Sequence, residues 1–255
     1  KELKRRQMGY GRGGRMKIES DAVEIWSGVR HGKTIASPIG LIVKNKDWEN
    51  WKSKMSIKIP PKAPKKVTLP RPGHADLAGV EKYGFDDIRN VLERSSARET
   101  AMRVALASVC RKLLKDLGIE IASRVIQIHD IKDESQIDVN INNIDINKRA
   151  DESPVRCLNK SAEKDMVKVI DNAKARGDSV GGVFEIIATG LPHGLGSYIQ
   201  WDRKLQAKIS SLLMSVNAFK AIEIGSGFLS GEKFGSEIHD EIEWNGKKYT
   251  RSSNN

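Results

Sequence analysis

Residues 86–118 read DDIRNVLERSSARETAMRVALASVCRKLLKDLG, and the patterning of this stretch decides the fold. Asp86 or Asp87 can cap a helix at its start, because a short acceptor side chain satisfies the first free N–H groups. Gly118 can end it, because glycine accepts the left-handed conformation that closes a last turn. Ile88, Val91, Leu92, Val104, Val109, Leu113 and Leu117 recur near helical spacing. Ser95-Ser96-Ala97-Arg98-Glu99 interrupts the stripe. A helix that gives up its core face to small and charged residues faces either solvent or a ligand.

Working outward, Ile119 to Ile128 reads as a strand, Ser161 to Arg176 as a helix ended by Gly177, and Val183 to Ala188 as a strand. Asp202 to Phe219 reads as a second strong helix, with Leu205, Ile209, Leu212, Val216 and Phe219 on one face. Ala221 to Ile224 reads as a short strand. Towards the N-terminus, Lys1 to Gln7 reads as the end of a helix, and Ala22 to Trp26 and Ile39 to Val43 as strands joined by a turn through Gly28 to Lys33. Residues 44–72 are rich in Lys and Pro and predict a mobile loop. Residues 130–154 are polar and irregular and read as a variable insertion. Strands and long helices mix without the regular alternation of a doubly wound sheet, so the expected class is α+β.

The chain has 255 residues with a formal net charge of +11. No apolar run approaches the roughly 20 residues that span a bilayer. Cys110 and Cys157 lie too far apart for a metal spacing and read as free thiols of a reducing cytoplasm, Cys110 as a buried one. The charge suits an anion: nucleic acid, a membrane surface or a phosphorylated small molecule. Both ends, Lys1 and the polar stretch Tyr249 to Asn255, read as cut, which predicts one domain over 1–255 truncated at each end.

Four segments carry candidate chemistry. In Arg5-Arg6-Gln7-Met8-Gly9-Tyr10-Gly11-Arg12-Gly13-Gly14-Arg15-Met16, glycines fold the backbone tightly between arginines whose planar forks match carboxylate and phosphate oxygens. The same composition also fits a solvated basic arm or an RGG-like nucleic-acid segment. In Arg71-Pro72-Gly73-His74-Ala75-Asp76, a turn precedes a histidine suited to proton transfer near neutral pH, or to a structural role. Glu93-Arg94-Ser95-Ser96-Ala97-Arg98-Glu99-Thr100 offers hydroxyls and two arginines to a flat ring or a phosphate, or forms a surface stripe of ion pairs. Gly177 to Gly182 and Gly190 to Ser197 are glycine-rich but match neither a P-loop nor a dinucleotide fingerprint.

Together, Tyr10 to Ile18, Ser27 to Thr34, Arg71 to Leu77, Leu92 to Val104, Gly194 to Asp202 and Met214 to Lys220 resemble chorismate synthases. The resemblance covers nearly the whole chain outside 130–154. It implies antiparallel sheets that sandwich long central helices, assembled as a homotetramer. It implies reduced FMN and a 1,4-anti elimination of phosphate from 5-enolpyruvylshikimate 3-phosphate, with the flavin's electrons drawn from an NADP-linked reductase of its own or from a free pool. Carried over, Arg6, Arg12, Arg15 and Arg98 bind substrate, Arg98 from the long helix. His74 supplies a proton to the N1 region of the flavin. Arg94, Ser95, Ser96, and Asn217 and Ala218 at the end of the second long helix, contact FMN. The family's Gly-Glu-Ser-His-Gly segment and its Lys-Pro phosphate loop have no match here. Gly177 to Gly181 echoes the former with Val180 for His, and Asn254-Asn255 resembles the opening of a glycine-rich flavin segment. An anion- or nucleic-acid-binding module, or an inactive fragment, are the alternatives.

Overall fold

The computed structural model describes residues 1–18, 20–137 and 143–251, which fall into two compact units, Lys1–Leu191 and Pro192–Asn255. The expectation for Asn254-Asn255 lies outside the described residues.

In the first unit, helix α1 (Glu2–Gln7) packs on a later long helix and buries Leu3. A 3-10 turn, Gly14–Lys17, follows. Strands β1 (Val23–Ile25), β2 (Val29–Arg30), β3 (Lys33–Thr34) and β4 (Leu41–Val43) form two antiparallel pairs. β1 pairs β4 with Val23 opposite Val43. β2 and β3 are joined by His31 (φ 51°) and Gly32 (φ 75°), both left-handed, which gives the hairpin the twist its strands need. Gly28, at φ 79°, has no room for a side chain: a Cβ there would sit 2.6 Å from the Pro38 carbonyl oxygen.

The Lys/Pro stretch holds one helical turn, α2 (Trp48–Trp51), built round the buried Asp47. The Asp47 carboxylate accepts from Asn50 Nδ2 at 2.8 Å and Trp51 Nε1 at 2.9 Å. Beyond Ser56 the chain forms neither helix nor strand up to Ala75, with bends at residues 57–58 and 61–62, as its prolines disfavour both.

The helix expected over 86–118 is two helices. A separate helix, α3 (Asp76–Tyr83), ends at Gly84 with φ 64° and packs against α4 (Arg89–Ser95). Ser96 then leaves helical space (φ −67°, ψ 131°), Ala97–Glu99 forms a 3-10 turn, and α5 (Thr100–Asp116) begins. Asp87 does serve the start of α4, its Oδ1 accepting from Arg89 N at 3.0 Å. The apolar stripe is also differently placed. Ala101 and Ala105 are the buried residues of α5, whereas Leu106, Leu113 and Leu117 are more than half exposed.

β5 (Glu120–Ile128) is the centre of a three-stranded antiparallel sheet, order β6-β5-β7, with β6 (Ile131–Lys132) and β7 (Gly182–Thr189) at its edges. Residues 130–154 are not irregular throughout. They include β6 and α6 (Asn143–Asp151), which sets Ile146 and Ala150 against β5, fully enclosed. Asn147 donates from Nδ2 to the Ile121 carbonyl at 2.9 Å, a contact only a helix at this height makes. α7 (Lys160–Ala175) is capped by Asn159, whose side chain accepts from Ser161 N and Ala162 N. It buries Met166 in a cluster with Val155, Cys157 and Ala162. Cys157 is the buried thiol and Cys110 the exposed one, the reverse of expectation for Cys110.

In the second unit, a 3-10 turn at Trp201–Arg203 leads into α8 (Leu205–Met214). This helix is shorter than expected, so Asn217 and Ala218 lie in the turn after it. Residues 221–224 form no strand. The last pair, β8 (Ile242–Trp244) and β9 (Tyr249–Arg251), is an antiparallel hairpin where an open polar tail was expected.

Candidate active site

The glycine-arginine segment is folded, not a free arm. Tyr10 N donates to the Pro154 carbonyl at 3.0 Å, and the Tyr10 hydroxyl is shared between both carboxylate oxygens of Asp171 at 3.0 Å. That bond holds the phenolic proton and raises its pKa. Gly11, at φ 73°, lies directly on Ile170. Arg5 anchors the preceding helix. Its Nε donates to Asp151 at 2.9 Å and its Nη1 to Glu2 at 2.5 Å, and Arg111 reaches Glu2 from α5. Arg156 joins Asp151, and burial pushes its guanidinium down to about 10. Every one of these forks is spent on the scaffold.

Arg6, Arg12 and Arg98 form a second group, one helical turn further along. Arg98 Nη1 and Nη2 donate to the two oxygens of Asp21 at 2.5 and 2.6 Å. Arg6 Nη1 lies 3.6 Å from the same carboxylate, while its Nε and Nη2 donate to Thr100 Oγ1 at 3.0 and 2.9 Å. Arg12 donates to the Arg6 carbonyl. The Arg98 hydrogen bonds, more than any other group, hold the Asp21 carboxyl below its ordinary range against a burial that raises it. Two guanidiniums, Arg98 and Arg6, thus face one carboxylate, Arg12 is tied to the Arg6 backbone beside them, and the surplus positive charge suits an anion. Arg98 sits on the 3-10 turn between α4 and α5, not on the long helix. Arg15 lies in the Gly14–Lys17 turn, and its side chain is outside the described residues.

His74 makes its contacts in a separate cluster. Its Nδ1 lies 2.6 Å from Asp76 Oδ1, and Asp76 is fully buried at the start of α3. Asp76 also accepts from Arg71 N at 3.0 Å and Arg71 Nε at 2.9 Å. Arg71 holds the Asp76 carboxyl far below the usual carboxylate range, and Asp76 raises Arg71 in turn. A carboxylate can only accept, so Nδ1 donates to Asp76, and the other ring nitrogen is Nε2. Arg71 Nη2 is 2.9 Å from that nitrogen.

Arg94, Ser95 and Ser96 close α4. Arg94 is exposed, Ser95 Oγ donates to the Val91 carbonyl at 2.8 Å, and Ser96 Oγ accepts from Arg98 N at 3.2 Å. In the second unit, Asn217 and Ala218 follow α8, and Ala218 holds φ 73°, rare for a residue with a Cβ. An exposed guanidinium thus stands beside two small hydroxyl residues at a helix break, where it can meet a phosphate.

Two residues that sequence reasoning gave no role stand at the centre of these clusters. Asp21 lies just before a strand, between Glu19 and Glu24, and Asp76 closes the His74 motif. The signal available for Asp21 was a run of acids, Glu19, Asp21 and Glu24, following a strongly basic segment.

The family model described as chorismate synthase matches residues 1–255. Chorismate synthases of Listeria welshimeri and Enterococcus faecalis are 52% and 54% identical over 259 residues, covering 100% of this chain and 66% of each relative. A chorismate synthase 2 of Bacillus thuringiensis is 53% identical over 261 residues with the same coverage. The chain therefore spans slightly under two thirds of the length of these relatives. A crystal structure of chorismate synthase is similar with a TM-score of 0.80 at 41% identity, covering 99% of this chain and 68% of the other.

Proposed function

Because this chain belongs to the chorismate synthase family, we propose that it serves the elimination of phosphate from 5-enolpyruvylshikimate 3-phosphate. The observation that carries this reading is the pair Arg6 and Arg98 on Asp21, with Arg12 bound to the Arg6 carbonyl beside them, a cationic surplus suited to a substrate with one phosphate and two carboxylates. Arg6 and Arg98 orient the anion with forks already fixed by Thr100 and Asp21, so little side-chain entropy is lost on binding. Arg12 and Arg15 add charge from the glycine turn. Asp76 orients the imidazole of His74 through Nδ1, and Nε2, which has Arg71 Nη2 2.9 Å away, would hold or pass a proton at the N1 region of the flavin once that guanidinium turns aside. Arg94, Ser95 and Ser96 would contact FMN, a role that the family resemblance also gives to Asn217 and Ala218. Reduced flavin supplies transient electron density that helps the allylic phosphate leave.

The wider reading is a cytoplasmic homotetramer whose flavin is reduced through an NADP-linked step. The half-exposed apolar residues of α5, Leu106, Leu113 and Leu117, support assembly, since a stripe of this kind usually meets a protein partner. Among the described residues no helix is long and apolar enough to cross a membrane.

An anaerobic titration of the protein with FMN under reduction, followed by flavin absorbance, tests the reading. Flavin uptake that tightens when 5-enolpyruvylshikimate 3-phosphate is added is the expected result. Uptake insensitive to that compound would contradict the substrate assignment.

A further inference from the structure

The positive charge of this protein is not spread over its surface. Residues 44–71 carry eight lysines and Arg71 against Asp47 and Glu49 alone, a net +7 in a chain of net +11, where residues 1–17 carry +6 and the rest a net −2. At its edges the lysines are neutralised: Lys44 pairs with Glu24 at 2.7 Å and Lys66 with Asp86. In its middle they are not. Lys54, Lys58, Lys62 and Lys65 are exposed and have no carboxylate partner among the described residues. Lys54 lies 5.4 Å over the Trp51 ring and takes no anion from the chain itself.

The stretch is also held at both ends. The Asp47 carboxylate ties Asn50 and Trp51 at one end. At the other, Ile88 N donates to the Val67 carbonyl at 2.9 Å and Val67 N to Asp87 Oδ1 at 3.3 Å. Pro60, Pro61 and Pro64 keep the middle out of helix, and the backbone there turns only through bends at residues 57–58 and 61–62. Past Val67 the chain runs straight to Arg71, Asp76 and His74. A solvated face that serves solubility alone has its charges interspersed; here they are segregated beside one cluster of the candidate site.

We propose that the strap of residues 52–66 is an electrostatic capture surface, which speeds the arrival of the phosphorylated, dicarboxylate substrate without touching it once bound. The inference rests on the function read above. Its physical basis is long-range attraction: clustered like charge raises the encounter rate of an opposite charge by tenfold or more, and salt abolishes the gain as the screening length shrinks.

The test uses the protein with reduced FMN and a K54Q/K58Q/K62Q/K65Q variant, with K112Q/K115Q/K164Q/K174Q as a charge-matched control on exposed helix surface. Stopped-flow flavin absorbance reports binding of 5-enolpyruvylshikimate 3-phosphate at rising ionic strength. The association rate constant of the strap variant should fall on the order of tenfold at low salt, converge with the parent above about 0.5 M, and leave the dissociation rate unchanged. The control should show less than half that fall. An unchanged association rate, an equal fall in the control, or a faster dissociation each overturns the capture role. A parent protein that does not bind this substrate at all removes the function reading, and this inference with it; parent binding with an unaffected strap variant removes this inference alone.

Discussion

Asp21 receives both outer nitrogens of Arg98, at 2.5 and 2.6 Å, with its side chain only 2% exposed. The two residues are separated by 77 positions in the chain, so this one fork ties the strand entry to the break between α4 and α5. Asp21→Ala leaves Arg98 and Arg6 enclosed with no carboxylate between them. Losing one partner of such a pair costs about 3 kcal/mol. Urea denaturation at pH 7 should register that loss, and Asp21→Asn, which keeps the shape and one acceptor, should lose less. A change under about 0.5 kcal/mol in both variants would remove Asp21 from the framework of the site.

Acid should weaken the fold through Asp76. Its carboxyl is held low by Arg71, so the folded chain binds the proton less readily than the unfolded chain. The stabilisation is therefore fully present above the unfolded value near 3.9 and is lost as pH falls below it towards the native one. Asp76→Asn should lower stability at pH 7 and flatten its decline between pH 4 and pH 2. An equally steep decline in the variant would assign acid sensitivity to other carboxylates.

What the sequence made legible were elements whose local pattern matches their environment. The strands at 119–128 and 183–188 and the helix at 161–176 are found within a residue or two, because their caps and apolar spacing agree with where they pack. α6 was hidden because Asn and Asp are poor helix formers and, among the described side chains, its buried face mixes Ile146 and Ala150 with the polar Asn147. The break at Ser96 was visible as an interruption of the stripe, but not its geometry: Ser96 Oγ takes the Arg98 N–H and offers the backbone an alternative to the helix. Residues 221–224 have strand composition but no partner strand, and composition alone cannot supply one. The site was legible in its arginines and histidine, which are local strings, and not in Asp21, whose role exists only once distant segments meet.

Gly79 is where α3 and α4 come closest. A Cβ there would lie 2.6 and 2.7 Å from the two methyl groups of Val91. Gly79→Ala should destabilise the protein by about 1–3 kcal/mol through overpacking, although alanine is the better helix former. Pairing it with Val91→Ala should restore part of the loss, measured as a double-mutant cycle. A stabilised single variant would contradict the close approach.

Arg98 and Arg12 differ in what supports them, and their loss should differ accordingly. Replacing either by Ala should weaken substrate binding by about 2–5 kcal/mol if a desolvated charge pair is lost. Arg98→Ala should also cost fold stability, since it orphans Asp21, whereas Arg12, which donates to a backbone carbonyl, should cost little. Isothermal titration beside thermal melting separates the two effects. Unchanged affinity in both variants would count against the arginine assignments.

On the proposed reading, in which His74 moves a proton and the arginines of the other cluster bind the anion, His74→Ala should slow turnover more than it weakens binding. Asp76 and Arg71 make the argument sharper. Asp76→Asn keeps a side chain at Nδ1 but can donate as well as accept, so the imidazole loses its fixed tautomer while its position is retained. Turnover should then fall in Asp76→Asn with the substrate dissociation constant nearly unchanged, and the combined His74→Ala/Asp76→Asn variant should be no slower than His74→Ala alone, since the carboxylate acts through the ring. A double variant much slower than either single one would mean that Asp76 serves the reaction independently of His74.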